Sequence, residues 1–164
     1  MSSNHILTLN KLAKNRSTLE IALFPNTSFT LSNYSIPSVF LSPATQSSPF
    51  FDKPIYGDKL YYDDLMCEFL VNEDLSNYLE MHDWMKNTAH PEEKLNPIPL
   101  TYTDAIMTIY TSHNNPFIKI KFLDLIPVQV GSLQLSENTS ETEEVSCMIV
   151  FKYQRFDIEF VNQV

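Results

Sequence analysis

Apolar and polar residues change their spacing once in a sustained way, between Gly57 and Met85. Leu65, Cys67, Phe69 and Val71 alternate with Met66, Glu68 and Leu70, the two-residue period of a strand with one face buried. After Asn72 the period lengthens. Leu75, Tyr78, Leu79, His82 and Met85 follow the i, i+3, i+4, i+7 spacing of one helical face, which Met81 and Trp84 widen. Asn72 reads as the N-cap, with Glu73 and Asp74 placing negative charge in the first turn, where the helix dipole favours it. The pattern predicts one helix over about 72–87. A helix of that length is marginal alone in water, so Leu75, Tyr78, Leu79 and Trp84 are expected to pack it against a sheet.

Every other credible element is a strand. Leu19, Ile21 and Leu23 alternate with Glu20 and Ala22 until Pro25 and Asn26 end the run. Phe29 to Ile36 and Val39 to Leu41 form shorter candidates, broken by Pro37. Ala105, Met107 and Ile109 lie opposite Ile106 and Tyr110, as in a strand buried on both faces. Ile118, Ile120 and Phe122 alternate with Lys119 and Lys121, and the turn residues Ser112 to Pro116 join the two runs as a hairpin. Leu123 to Pro127 leads through Val130 and Gly131 into Leu133 and Leu135. Val145, Cys147, Ile149, Phe151 and Tyr153 share one face of the last long strand. Phe156, Ile158 and Phe160 then alternate with Asp157 and Glu159 in an edge strand or an extended tail. The expected architecture is mainly β: a two-sheet sandwich or barrel of antiparallel strands with one flanking helix. Residues 1–17 are polar and read as an N-terminal arm, and residues 18–164 read as one domain of ordinary size.

Three connections stand out. Residues 42–57 hold three prolines, several serines and the aromatics Phe50, Phe51 and Tyr56, which predicts a long irregular or extended loop. Disordered segments carry few aromatics, so this one is either a contact surface or a flap whose Phe50 and Phe51 fold back over the edge of the core. Residues 88–102 form a second proline-rich connection, and residues 136–143 an acidic turn.

Composition narrows the chemistry. Eleven Lys and Arg against twenty Asp and Glu leave a net charge of −9, unsuited to gripping nucleic-acid phosphates or anionic membranes. With only Gly57 and Gly131, no glycine-rich phosphate loop can form. Cys67 and Cys147 fall on apolar strand faces and read as buried, reduced thiols. The N-terminus lacks an apolar signal core, and no run is long enough to span a bilayer, so a soluble cytoplasmic product is expected. His5, His82, His90 and His113 have no metal-ligand spacing, and His82 reads as a hydrogen-bonded core or boundary residue. Asp63 and Asp64 point to opposite faces if extended, so they cannot easily share a proton or a metal. No nucleophile motif is present, and neither catalysis nor a cofactor is expected.

The residues resemble the tail tube proteins of contractile-tailed bacteriophages. One matching piece is Gly57-Asp58 followed by the Tyr/Asp/Asp run into a strand, then the Asn72-Glu73-Asp74 helix start and Trp84 near the helix end. Another is Leu125-Ile126-Pro127 followed by Val130-Gly131 and Leu133. The polar turn of residues 136–143 before a closing strand that ends in an aromatic is the third. The likeness covers about residues 18–154 and rests on order and spacing; the N-terminal extension and the tail after Tyr153 depart from it.

The resemblance implies a tube-type β-barrel whose copies close into rings of six and stack into a hollow tube of the virion tail, assembled in the host cytoplasm. It implies tail sheath, baseplate and tail terminator proteins as partners, with DNA passing through the lumen without sticking. Baseplate or neck ring proteins and the tubes of type VI secretion systems share the fold. It makes residues 42–57 an inter-subunit contact loop, with Phe50, Phe51, Asp52, Lys53 and Tyr56 as contact residues. Glu68, on the wet side of its strand, is the candidate lumen carboxylate. A monomeric binding module that captures a partner by strand addition is the alternative from a different class.

Overall fold

A computed structural model describes residues 16–89, 102–133, 135 and 144–161. Most of the expected N-terminal arm, most of the 88–102 connection and the acidic turn lie outside the described residues. The elements in chain order are β1 (Ser17–Ile21), β2 (Ser28–Tyr34), β3 (Val39–Leu41), β4 (Ala44–Gln46), β5 (Lys53–Ile55), β6 (Leu60–Tyr62), β7 (Leu65–Leu70), α1 (Ser76–Ala89), β8 (Thr103–Tyr110), β9 (Pro116–Val130), β10 (Ser146–Lys152) and β11 (Arg155–Phe160).

Six strands hydrogen-bond in the order β10-β7-β2-β1-β8-β9, and β9 pairs back onto β10, so the sheet closes into an antiparallel barrel. The strand that makes closure possible is β9. The sequence pattern divides this stretch after Phe122, yet it runs unbroken for 15 residues. Asp124 takes a left-handed φ of 55°, its N–H donates to Asp104 Oδ1, and the pairing with β8 shifts register at the same place. Such an irregularity bends a strand and increases its twist. The first half of β9 can therefore pair with β8 and β11, while Ile126 to Val130 turn across to β10. β11 settles the choice left open for the tail: it is an edge strand, with Phe156, Ile158 and Phe160 opposite Phe122, Ile120 and Ile118.

Inward residues follow the alternation read from the sequence. Leu19, Ile21, Phe29, Leu31, Leu65, Phe69, Met107, Ile109, Ile120, Phe122, Ile149 and Phe151 are buried in one core. Cys67 and Cys147 are buried in it too, both as free thiols.

The helix departs from expectation in its start and its rotation. It begins at Ser76, four residues late. Asn72 closes a turn instead, its C=O accepting the Leu75 N–H, and Leu75 sits at φ 56°. Asp74 precedes the helix and accepts from the Ser76 N–H; the hydrogen bonds of Ser76 hold the Asp74 carboxyl below its ordinary range. A buried asparagine anchors the entry: Asn77 Nδ2 donates to Leu70 O, and Asn77 Oδ1 accepts from the Asn72 N–H. This tie sets which side faces in. Asn77, Met81 and the expected Trp84 are buried, whereas Leu75, Leu79 and His82 of the expected face lie outside. Tyr78 is half-buried against the core.

The helix thus closes a gap in the barrel wall. Met81 meets Leu19, Phe29, Phe69 and Phe151 around a space with no room for water. Trp84 sets its ring edge-on to Phe24, with centroids 5.8 Å apart, and Thr27 donates to Glu80 from the β1–β2 turn. His82, expected in the core or at its boundary, is exposed and contacts its exposed neighbour Asp83 at 3.3 Å.

Candidate assembly surface

Residues 39–62 form the most exposed apolar structure in the described chain. The expected irregular or extended loop is a two-stranded ribbon. Val39 and Leu41 of β3 pair with Tyr62 and Leu60 of β6, and Ala44 and Gln46 of β4 pair with Ile55 and Lys53 of β5. Prolines hid this from the sequence pattern: Pro54 lies within β5, where an exposed ribbon tolerates a residue without an N–H. Halfway along, Gly57 passes the Ser42 backbone so closely that a Cβ would run into the Ser42 carbonyl. Ser47 donates to Asp52 at 3.0 Å and closes the tip.

Neither β3 and β6 nor β4 and β5 pair with any barrel strand, so the ribbon stands apart as an arm. Phe50 is 91% exposed and Phe51 72%, so they do not fold back over the core. Tyr56, Ile55, Val39, Phe40, Leu41, Leu60 and Tyr61 are exposed as well, with Phe40 stacked on Tyr61. Contiguous apolar surface of this kind is uncommon on a monomeric soluble protein. Asp52 and Lys53 sit beside the two phenylalanines, and with Asp58 and Lys59 they leave residues 39–62 without net charge on a chain of −9.

The root of the arm is firm. Tyr62 packs against Tyr153 and Phe156, and Tyr153 Oη donates to Asp63 O at 2.8 Å. Burial, then the nearby Asp63, Tyr62 and Asp64, push the Tyr153 phenol up to about 12. Ser38 bonds the Asp63 carboxylate, and Lys152 lies 3.8 Å from Asp64.

Two further surfaces have no partner among the described residues. The outer edge of β11 pairs with no other described strand, and Ile158 and Phe160 on it are exposed. At the other end of β2, an open groove of about 590 Å³ is lined by Ile21, Ala22, Phe24, Pro25 and Ile106, with Glu20, Asp104 and Lys121 supplying charge. No sequence signal marks that groove, because its residues come from β1, the following turn, β8 and β9. Glu68, the candidate lumen carboxylate, is half-buried on the outer face of β7 between Met148 and Asn33. Among the described residues no three His, Cys, Asp or Glu side chains gather as a metal site.

No protein-family model and no curated protein matches this sequence. Solved structures do. A chain of the anti-feeding prophage baseplate, determined with six-fold symmetrisation, matches with a TM-score of 0.67 at 12% identity, over 92% of this chain and 96% of that one. A chain of the sheath–tube complex of an extracellular contractile injection system, PVC, matches with a TM-score of 0.65 at 10% identity, over 98% and 99%. Hcp1 from Flavobacterium johnsoniae matches with a TM-score of 0.53 at 12% identity, over 90% and 99%. The fold is therefore the tail tube fold, shared with contractile injection and type VI secretion proteins.

Proposed function

We propose that this chain is a structural subunit of a tube: six copies close into a ring, and rings stack into the hollow tube of a contractile tail. The observation that carries the reading is the exposed aromatic arm on a barrel of tube fold. Water-exposed Phe50, Phe51 and Tyr56 are costly on a monomer and useful on a subunit that buries them against a neighbour. The finer assignment is a bacteriophage tail tube subunit that meets sheath, baseplate and tail terminator proteins, reaches the virion tail after assembly in the host cytoplasm, and performs no catalysis. Overall acidity fits this role, since a lumen without an excess of Lys and Arg lets DNA slide past. Glu68 is the residue we assign to the lumen wall.

Two other readings have specific support. A tube-initiating or capping ring is favoured by neighbours in a baseplate and in a tube-terminating cap. A monomeric module acting by strand addition is favoured by the free edge of β11.

Negative-stain electron microscopy across a concentration series separates the three. Open-ended tubes are expected of the main tube subunit. Rings that never lengthen identify the initiating or capping ring, and a monomer at every concentration, even with a preformed baseplate added, refutes the tube reading.

A further inference from the structure

Ser17, Ile109, Ile118 and Phe160 lie level across β1, β8, β9 and β11, so β1 begins at the end of the sheet where β11 finishes. No other described strand pairs with the outer edge of β11, and Ile158 and Phe160 beside that edge are exposed. We propose that residues 5–9 of the same copy, which lie outside the described residues, add to this edge as a further strand. The inference concerns the single chain and does not depend on the tube reading.

Reach and direction fit. A strand laid outside β11 is four strand spacings from β1, about 19 Å at ~4.8 Å each. Residues 10–15, extended at ~3.3 Å per residue, span about 20 Å. The segment has to leave the edge at the Phe160 end to enter β1 at Ser17, so it runs parallel to β11.

The side chains fit as well. His5, Leu7 and Leu9 alternate with Ile6, Thr8 and Asn10, the period of a strand. Leu7 and Leu9 cover Ile158 and Phe160 on one face, and Thr8 lies beside Glu159 on the other. Residues 1–15 carry Lys11 and Lys14 and no Asp or Glu, so an acidic chain of −9 attracts them. A second copy of β11 is the poorer occupant. Antiparallel self-pairing over about five residues sets Asp157 opposite itself or opposite Glu159, and like charges directly opposite destabilise a sheet. Once covered, the edge offers no row of free N–H and C=O groups, which guards β11 against edge-to-edge association and against capture of a foreign strand.

The test is hydrogen exchange, comparing the full chain with a variant that lacks residues 1–9. Amides of residues 155–160 should exchange about tenfold faster in the shortened chain, with β7 and β10 unchanged. Leu7→Lys combined with Leu9→Lys, which keeps the length, should have the same effect. Equal exchange in all three proteins overturns the pairing. A cross-link then identifies the copy. The native Cys67 and Cys147 are buried, so oxidation is selective for introduced thiols. Thr8→Cys with Glu159→Cys in one chain should form a disulfide within the monomer. Leu7→Cys with Glu159→Cys, on opposite faces, should form it far more slowly, and equal rates overturn the strand geometry. A disulfide-linked dimer from a mixture of the Thr8→Cys and Glu159→Cys single variants overturns the assignment to the same copy.

Discussion

Met81 and Leu79 lie two residues apart on α1, and the structure gives them opposite surroundings. Met81 is fully buried among Leu19, Phe29, Phe69 and Phe151, whereas Leu79 is 50% exposed. Met81→Ala removes three side-chain heavy atoms from a space with no slack. At ~0.8 kcal/mol per buried methylene-sized group the transfer loss is about 2.4 kcal/mol, and the unfilled cavity brings the total to about 3–4 kcal/mol. Leu79→Ala loses only partial burial and should cost about 1 kcal/mol or less. For a chain of this size the first change lowers Tm by about 6–16 °C and the second by no more than about 4 °C. The lone Trp84, buried beside Phe24, reports unfolding by fluorescence in urea or on heating. Measurements belong at concentrations where the protein sediments as a monomer, because assembly adds stability by mass action. Equal losses for the two variants, or a larger loss at Leu79, would refute the helix rotation set by Asn77.

Replacing Phe50 and Phe51 together with Ser should leave the circular dichroism and the monomer's stability unchanged and abolish assembly in sedimentation; undiminished assembly removes the arm from the interface. Gly57→Ala should do the same by splitting the ribbon where it passes Ser42, with a loss of global stability below about 1 kcal/mol because the ribbon pairs with no strand of the barrel sheet and packs on it only at its Tyr62 root. Tubes of Glu68→Lys should retain DNA in a gel-shift assay at low salt where native tubes release it; no difference would take Glu68 off the lumen wall. Burial raises the Cys67 thiol from 9.0 to about 12, and the Tyr153 phenol goes from 10.0 to about 12. Both groups are neutral by preference in the fold, so their contribution is intact below the unfolded values and is lost as pH climbs from about 9 to 12. Urea midpoints should fall over that window and fall less in Cys67→Ala and Tyr153→Phe; parallel profiles would count against the assignment.

Alternation along the chain was enough to locate most of the barrel strands and the side chains they bury. Two-residue alternation at Leu65–Phe69, Ile118–Phe122 and Cys147–Phe151 identifies the inward side chains, because successive residues of a strand point to opposite faces and one face holds the apolar groups out of water. The aromatics of residues 42–57 were legible as an anomaly in a proline- and serine-rich stretch, although their ribbon was not, since proline obscures strand periodicity.

Three features were decided only in three dimensions. The sequence reading put Leu75, Tyr78, Leu79 and Trp84 on one packing face, and the hydrogen bonds of Asn77 to Leu70 and Asn72 turn the helix so that Met81 and Trp84 face in while Leu75 and Leu79 do not. Barrel closure depended on a bend at Asp124, whose left-handed backbone no hydrophobic pattern encodes. The groove joins Ile21 and Pro25 to Ile106 and Lys121, residues up to a hundred positions apart, and only strand register brings them together. Local periodicity records which way a side chain faces; which distant surfaces become neighbours is fixed by the pairing of whole strands.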